Sequence, residues 1–325
     1  MISKQKRKEI RRAIKYPILI FFIRFFISVA RLLPIRFVEL FCAFHGLLAY
    51  YLIYQERKRT LLSLSIAYGE IKTLKEIKKM GREVFVNQAL NFADYLHTIK
   101  WKTRKQFSKI IDFVGEENLK TAYEKGKGVI CLVSHTGSWE FSAIMPPVMG
   151  YETSAVSKAT SNERINKLIV DARESRKMKN IARGKSYPKL IDALNKGECL
   201  IIMIDQDTNV KGVFVNFYGR PAYTPDGAAR LALETGAPVI PMYTKRIGKS
   251  KHQFTILPEI PLVKTGNNEH DLFENTKNYT QVIENIIRET PTQWVWMHQR
   301  WKTTPEDVER FLAEKEKKNQ INTEN

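Results

Sequence analysis

The sequence predicts an α/β fold, a mostly parallel central sheet covered by helices on both faces, with an apolar helical segment ahead of it. Three observations lead there. Short unbroken apolar runs, at residues 129–133 and 199–204, alternate with longer stretches of helical periodicity. Strands with no polar face are buried from both sides, as in parallel sheets flanked by helices. Several of these runs end in a charged or titratable residue, and open α/β sheets gather their chemistry at the carboxyl ends of strands. A chain of 325 residues is long enough to bury such a core.

In chain order, residues 4–15 form a basic head and residues 17–33 an apolar helix that Pro34 stops. A second apolar stretch, residues 37–54, is closed by Arg57-Lys58-Arg59. A seventeen-residue helix spans about 25 Å, short of the roughly 30 Å hydrocarbon layer. Arg24 inside the first stretch argues against a secretory signal. Basic residues at both ends argue against a simple span, because positive charge favours the cytoplasmic side. Helices lying in the cytoplasmic face, with basic groups on anionic lipid, fit best. An amphipathic helix covering a soluble core is the alternative. Residues 1–55 are therefore set apart as a membrane anchor, 56–304 as the α/β domain and 305–325 as a charged helix with a polar tail.

Residues 60–127 read as helices, with Leu61, Leu64 and Tyr68, then Phe85, Ala89, Phe92 and Tyr95, at helical spacing. Strands are expected at residues 129–133, 153–157, 199–204, 238–243 and 253–257. Helices are expected around residues 165–175, 187–195 and 226–235, the last with Thr224 as N-cap, Pro225 in the first turn and Gly236 as its stop. Residues 214–222 read as an aromatic loop, with 213–218 as a candidate wall for an apolar groove.

The net charge of +19 is unevenly placed. Residues 1–15 and 157–189 together carry thirteen of the nineteen excess charges. Localised surplus points to an anionic partner, such as phospholipid headgroups or a phosphorylated substrate. No nucleic-acid motif accompanies it. The three cysteines, Cys42, Cys131 and Cys199, lie far apart without CxxC spacing, which fits the reducing side of a membrane. No metal-ligand cluster and no glycine-rich nucleotide cradle is visible, so no cofactor is expected.

The chemistry centres on His135 and Glu140. In one continuous helix, five positions would turn Glu140 about 140° away from His135. The pair meets only if the chain bends, and Thr136-Gly137-Ser138 supplies a bend and a cap for a helix starting near Trp139. Glu140 would then hold one ring nitrogen while the other takes a proton from a hydroxyl. Backbone N–H groups nearby would stabilise an oxyanion. A strand-end histidine with a structural hydrogen bond is the competing reading. Lys158 and Asp205 also follow predicted strands. Asp205 and Asp207 are candidates to orient His135 or Arg220, and Arg164, Arg173, Arg183 and Arg220 are candidates for phosphate.

His135-Thr-Gly-Ser-Trp-Glu140 resembles the H-x4-D/E block of the glycerolipid acyltransferase superfamily. Asp205-Gln-Asp207, residues 217–222, 236–241 and 291–302 then resemble, in order and spacing, the lipid A biosynthesis (lauroyl/myristoyl) acyltransferases. That resemblance implies acyl transfer from a thioester, usually on acyl carrier protein with acyl-CoA as another donor, to a hydroxyl of a membrane glycolipid. It implies His135 as general base, Glu140 as its partner, and Lys158, Arg164, Asp205, Asp207 and Arg220 on the substrate side. It also implies work at the cytoplasmic face of a bacterial inner membrane. Lys158 stands where the family commonly has arginine, and His298-Gln299-Arg300 where it usually has His-Arg-Arg. A related family acylating phosphatidylinositol mannosides shares several motifs, so that class of acceptor stays open. A lipid hydrolase and a basic lipid-binding protein are the readings from other classes.

Overall fold

The structure is a computed structural model. It describes residue 25, residues 27–30, 32–157, 163–183, 186–208, 210–308 and residue 310. The basic head, most of the first apolar stretch, Lys158 and the polar tail lie outside the described residues.

Helix α1 (Ile35–Leu52) is followed by α2 (Tyr54–Tyr68), α3 (Leu74–Thr98) and the one-turn α4 (Arg104–Phe107). Strand β1 (Ile111–Val114), α5 (Glu116–Tyr123), β2 (Val129–Val133) and α6 (Trp139–Val148) lead into β3 (Thr153–Ser157). Next come α7 (Glu163–Glu174), β4 (Met178–Ala182), α8 (Tyr187–Asn195) and β5 (Cys199–Ile202). A hairpin of β6 (Gly212–Phe217) and β7 (Arg220–Pro225) precedes α9 (Gly227–Thr235), β8 (Val239–Gly248), β9 (Lys251–Ile256) and the long α10 (Asn268–Glu289).

Seven strands form one sheet in the order β1-β9-β8-β2-β5-β3-β4, parallel at every pairing except β8 with β9. Side chains on β2 alternate between two cores. Ile130 and Leu132 join Leu200 and Val239 under α2, α3, α8, α9 and α10. Val129, Cys131 and Val133 join Cys199, Ile201 and Ile240 under α4, α5 and α6. That two-sided burial explains why β2 is apolar without a break.

Local structure departs from the sequence reading where tertiary pairing decides it. Strand β1 lies inside the span read as all helical and pairs with β9, 141 positions away at Ile111↔His252. β4 likewise forms as an edge strand on β3. The aromatic loop is a β-hairpin, tightly paired from Gly212↔Pro225 to Phe217↔Arg220. Thr224 and Pro225 belong to β7, so Asp226 is the residue at the N-cap of α9.

Helix α1 docks along α3. Val38, Cys42, Gly46 and Tyr50 are its buried face, while Phe37, Leu40, Phe41, Phe44, Leu48 and Tyr51 are exposed. The exposed set follows i, i+3, i+4, i+7, i+11 and i+14, one continuous apolar stripe. Among the described residues, α1 is the helix long and apolar enough to cross a membrane. The docking is close: a Cβ on Gly46 would stand 2.7 Å from Ala89 Cβ and 2.8 Å from the Phe85 carbonyl oxygen. Gly46→Val is expected to cost about 1–3 kcal/mol by forcing the helices apart. Denaturant midpoints check this, and a variant as stable as the wild type would contradict the docking.

Candidate active site

β2 and β5 are parallel neighbours with Val129 opposite Cys199 and Leu132 opposite Ile202. Carried three residues beyond the last of these pairs, that register sets His135 opposite Asp205. The contact forms. The Asp205 carboxylate accepts the His135 backbone N–H at 2.6 Å on one oxygen and faces ring Nδ1 at 2.7 Å with the other. Trp294 Nε1 donates to the first of those oxygens at 2.8 Å. The Asp205 side chain is fully buried. Burial alone would push its carboxyl up, but the His135 ring, the Trp294 indole and the His135 amide outweigh that and hold it down at about 2.

An ionised Asp205 on Nδ1 fixes the tautomer in which Nδ1 carries the proton. Nε2 is then the basic nitrogen, and the Gln206 amide nitrogen lies 3.0 Å from it. Trp139 and His298 flank the ring, with centroids at 5.3 and 5.7 Å. Burial, then repulsion from His135, lowers the His298 imidazole to about 4, so it is neutral at neutral pH.

Glu140 does not reach His135, which corrects the pairing expected from their spacing. Nδ1 is already taken by Asp205. Glu140, in the first turn of α6, turns to Arg173 on α7, which donates from Nε and Nη2 at 2.8 Å each. Burial would lower the Arg173 guanidinium, but its hydrogen bonds to Glu140 prevail and raise it. Tyr95 is pushed up to about 12 by burial and by the Glu140 charge. The bidentate fork makes Glu140–Arg173 a rigid part of the cavity wall.

The chain bends between His135 and α6 as expected. Gly137 has φ +55°, and a Cβ there would lie 1.9 Å from the Thr244 carbonyl oxygen, so only glycine fits. The bend is gripped from three sides. Gly137 N–H donates to the Gln293 carbonyl at 2.9 Å. Asn91 Nδ2 donates to the Gly137 carbonyl at 2.7 Å, and Ser138 Oγ donates to the buried Asp94. Asp94 also receives Arg246 at 2.6 Å, and Arg246 reaches Glu39 of α1 at 2.6 Å. Burial would raise the Asp94 carboxyl, but His252, Arg246 and Ser138 together lower it. The backbone N–H groups of His135, Gly137 and Trp139 are thus committed to Asp205, Gln293 and Gly137 respectively. They are not the oxyanion donors expected of this loop.

A cavity of about 880 Å³ opens beside the ring. Buried Ala143, Ala155, Leu190 and Ile201 line its interior, and exposed Arg183 and Lys211 stand at its rim. The volume falls within the range of small-molecule sites. Residues 213–218 do not line it; Phe217 and Tyr218 pack instead against Trp294 and Trp296. Arg220 is exposed beside the far turn of the hairpin, five residues, or about 17 Å of strand, from the Pro225 end that borders the cavity. Asp207 accepts Thr303 N–H at 2.7 Å and the Thr303 hydroxyl at 2.6 Å, tying down the chain after Arg300 rather than facing His135. Asp205, fully buried behind the histidine, orients it and has no surface left for substrate. The Arg164 side chain lies outside the described residues.

Four contributors are not legible in the sequence. Trp294 reads as core and is also a ligand of Asp205. Gln206 lies between two aspartates whose charge is the stronger signal. Asn91 and Asp94 were hidden in a helix read only for its apolar positions. A charged residue within an apolar helical face was the available signal for Asp94.

The sequence profile of the family described as bacterial lipid A biosynthesis acyltransferase matches residues 4–303. A lipid A biosynthesis acyltransferase of Haemophilus influenzae is 25% identical over 62% of this chain and 62% of its own length. A phosphatidylinositol mannoside acyltransferase of Mycobacterium tuberculosis is 23% identical over 70% of this chain and 69% of its own. The lipid A biosynthesis lauroyltransferase of Escherichia coli K12 is 26% identical over 76% and 79%.

Asp205 should mark the acid limb of stability. Its folded value is depressed, so its contribution is full above the ordinary carboxylate value near 4 and is lost as pH falls toward 2. The loss amounts to about 2 kcal/mol. In Asp205→Asn, denaturant midpoints measured from pH 5 to 2 should fall less steeply than in the wild type; parallel curves would contradict the pairing. Separately, Ser138→Ala should speed amide exchange in residues 134–139 while leaving the sheet protected, as read by hydrogen-exchange mass spectrometry.

Proposed function

Because the chain belongs to the bacterial lipid A biosynthesis acyltransferase family, we propose that it moves a fatty acyl group from an acyl thioester to a hydroxyl of a membrane glycolipid. The observation that carries this is His135, held by Asp205 on Nδ1 and lining a cavity of about 880 Å³ that also presents Ala143, Ala155, Leu190 and Ile201.

In this reading the acceptor hydroxyl lies on Nε2, which takes its proton as the oxygen attacks the thioester carbonyl carbon. The new C–O bond forms, and the carbonyl electrons move onto oxygen. The Gln206 amide, 3.0 Å from Nε2, is the side-chain donor best placed for that oxyanion. On collapse the C–S bond breaks, and the thiolate leaves with the proton from the imidazolium. Asp205 stays ionised and stabilises the imidazolium between the two steps. No covalent acyl-enzyme is required. Glu140 acts through Arg173, fixing the guanidinium at the cavity wall, instead of through His135 directly.

The apolar interior accommodates the acyl chain. Rim cations Arg183 and Lys211, with Lys158 after β3 and Arg164 in the first turn of α7, serve the phosphate of a carrier-bound pantetheine arm or of the acceptor. Acyl carrier protein is the preferred donor, with acyl-CoA as the other. The apolar stripe of α1 rests in the cytoplasmic leaflet of an inner membrane, where donor and lipid acceptor meet. The relatives favour two acceptor classes: a lipid A precursor, and a phosphatidylinositol mannoside-type glycolipid as the second reading.

His135→Ala should lower acyl transfer at least about 100-fold, assayed in membranes with acyl carrier donors. Undiminished transfer would remove His135 from the mechanism. Mass spectrometry of the products separates this activity from hydrolysis: acylated lipid supports transfer, and free fatty acid in its place supports a hydrolase.

A further inference from the structure

A second hollow, of about 560 Å³, lies between α1 and α3 and shares no lining residue with the cavity at His135. We propose that it binds the phosphodiester headgroup of a bilayer glycerophospholipid, with Arg82 and Lys79 as its charge partners. This rests on the reading that the outer stripe of α1 lies in a membrane.

At about 100° per residue, Leu47 sits about 60° from Phe44 on the exposed stripe and about 100° from Gly46 on the docked face. The groove that Leu47 borders therefore runs along the margin of the apolar stripe. When that stripe is sunk in the acyl region, its margin lies at headgroup depth.

Charge comes next. The lining carries Lys79, Arg82 and Glu83, two cations against one carboxylate, a surplus of one. Lys79 reaches Glu83 only at 3.9 Å, with both side chains well exposed, so the pair neutralises little. Arg82 is half-buried and has no ion pair among the described residues. A phosphodiester, with one negative charge and oxygens spaced for a guanidinium fork, supplies what is missing. Leu47 and Val86 give the apolar floor that a glycerol backbone and the first methylenes need.

The inner end is polar and fixed. Asn87 Nδ2 donates to the Thr292 carbonyl at 3.0 Å and to its hydroxyl at 3.3 Å. Thr292 precedes Gln293, whose carbonyl holds the Gly137 amide of the catalytic bend. A lipid seated here thus leans on the same short turn that grips the bend. The groove is a lipid site built against the active-site scaffold but separate from the reacting groups.

The test uses the full chain, purified in mild detergent, delipidated and titrated with phosphatidylglycerol, with bound lipid counted by native mass spectrometry. Wild type should retain one phospholipid, and K79E/R82E should bind it at least tenfold more weakly. K102E/K105E, an equal charge change at exposed positions in and just before α4, should leave retention unchanged. Should the double reversal misfold by circular dichroism, K79Q/R82Q removes the charge without adding a repulsive one and reads the same count. Vesicles of phosphatidylglycerol and phosphatidylethanolamine separate groove binding from membrane attachment. A wild type that neither pellets with them nor retains lipid overturns the groove together with the membrane reading. A wild type that pellets, while the double variant keeps its lipid as tightly, overturns the groove alone. Neither readout depends on acyl transfer.

Discussion

The register between β2 and β5 is the constraint on which the site depends. Parallel pairing with Val129 opposite Cys199 brings two strand ends together, and the residues that follow them are His135 and Asp205. A buried carboxylate without partners would be costly. Asp205 avoids that by accepting the His135 amide, the His135 ring and the Trp294 indole, which together exceed the burial penalty. A slip of one residue in either strand would exchange the two cores and separate the pair.

Around that pair the protein is clamped from unexpected directions. α3 holds the bend at Gly137 through Asn91 and Asp94, the turn after α10 holds it through Gln293, and β8 joins Asp94 to Glu39 of α1 through Arg246. Removing one partner from such a buried ionic cluster leaves the others uncompensated, which is why these clusters specify geometry more than they add net stability. The helix with the exposed apolar stripe is consequently part of the scaffold of the bend. Its buried Glu39 and the histidine loop are linked by two ion pairs and a hydrogen bond.

Glu140 shows how a short motif can suggest the wrong contact. The five-residue spacing brings the carboxylate into the first turn of α6, near the histidine in sequence. Which cation or ring it meets depends on what else stands there, and α7 supplies Arg173 with two parallel donors. The histidine had already been satisfied from the neighbouring strand.

The sequence alone determined the layered α/β class, the five principal strands, the bend at Gly137, the apolar helix and His135 at a strand end. These follow from local signals: apolar runs, helical spacing, glycine where φ must be positive, charge where a strand stops. The tertiary structure decided who meets whom. His135 finds Asp205 across 70 residues, Asp205 finds Trp294 across 89, and Ser138 finds Asp94 across 44. β1, β4 and the hairpin likewise exist only through their pairings, because an edge strand with mixed polarity has no periodicity strong enough to announce it. Contacts over such separations are set by strand order, register and helix docking, which no window of neighbouring residues encodes.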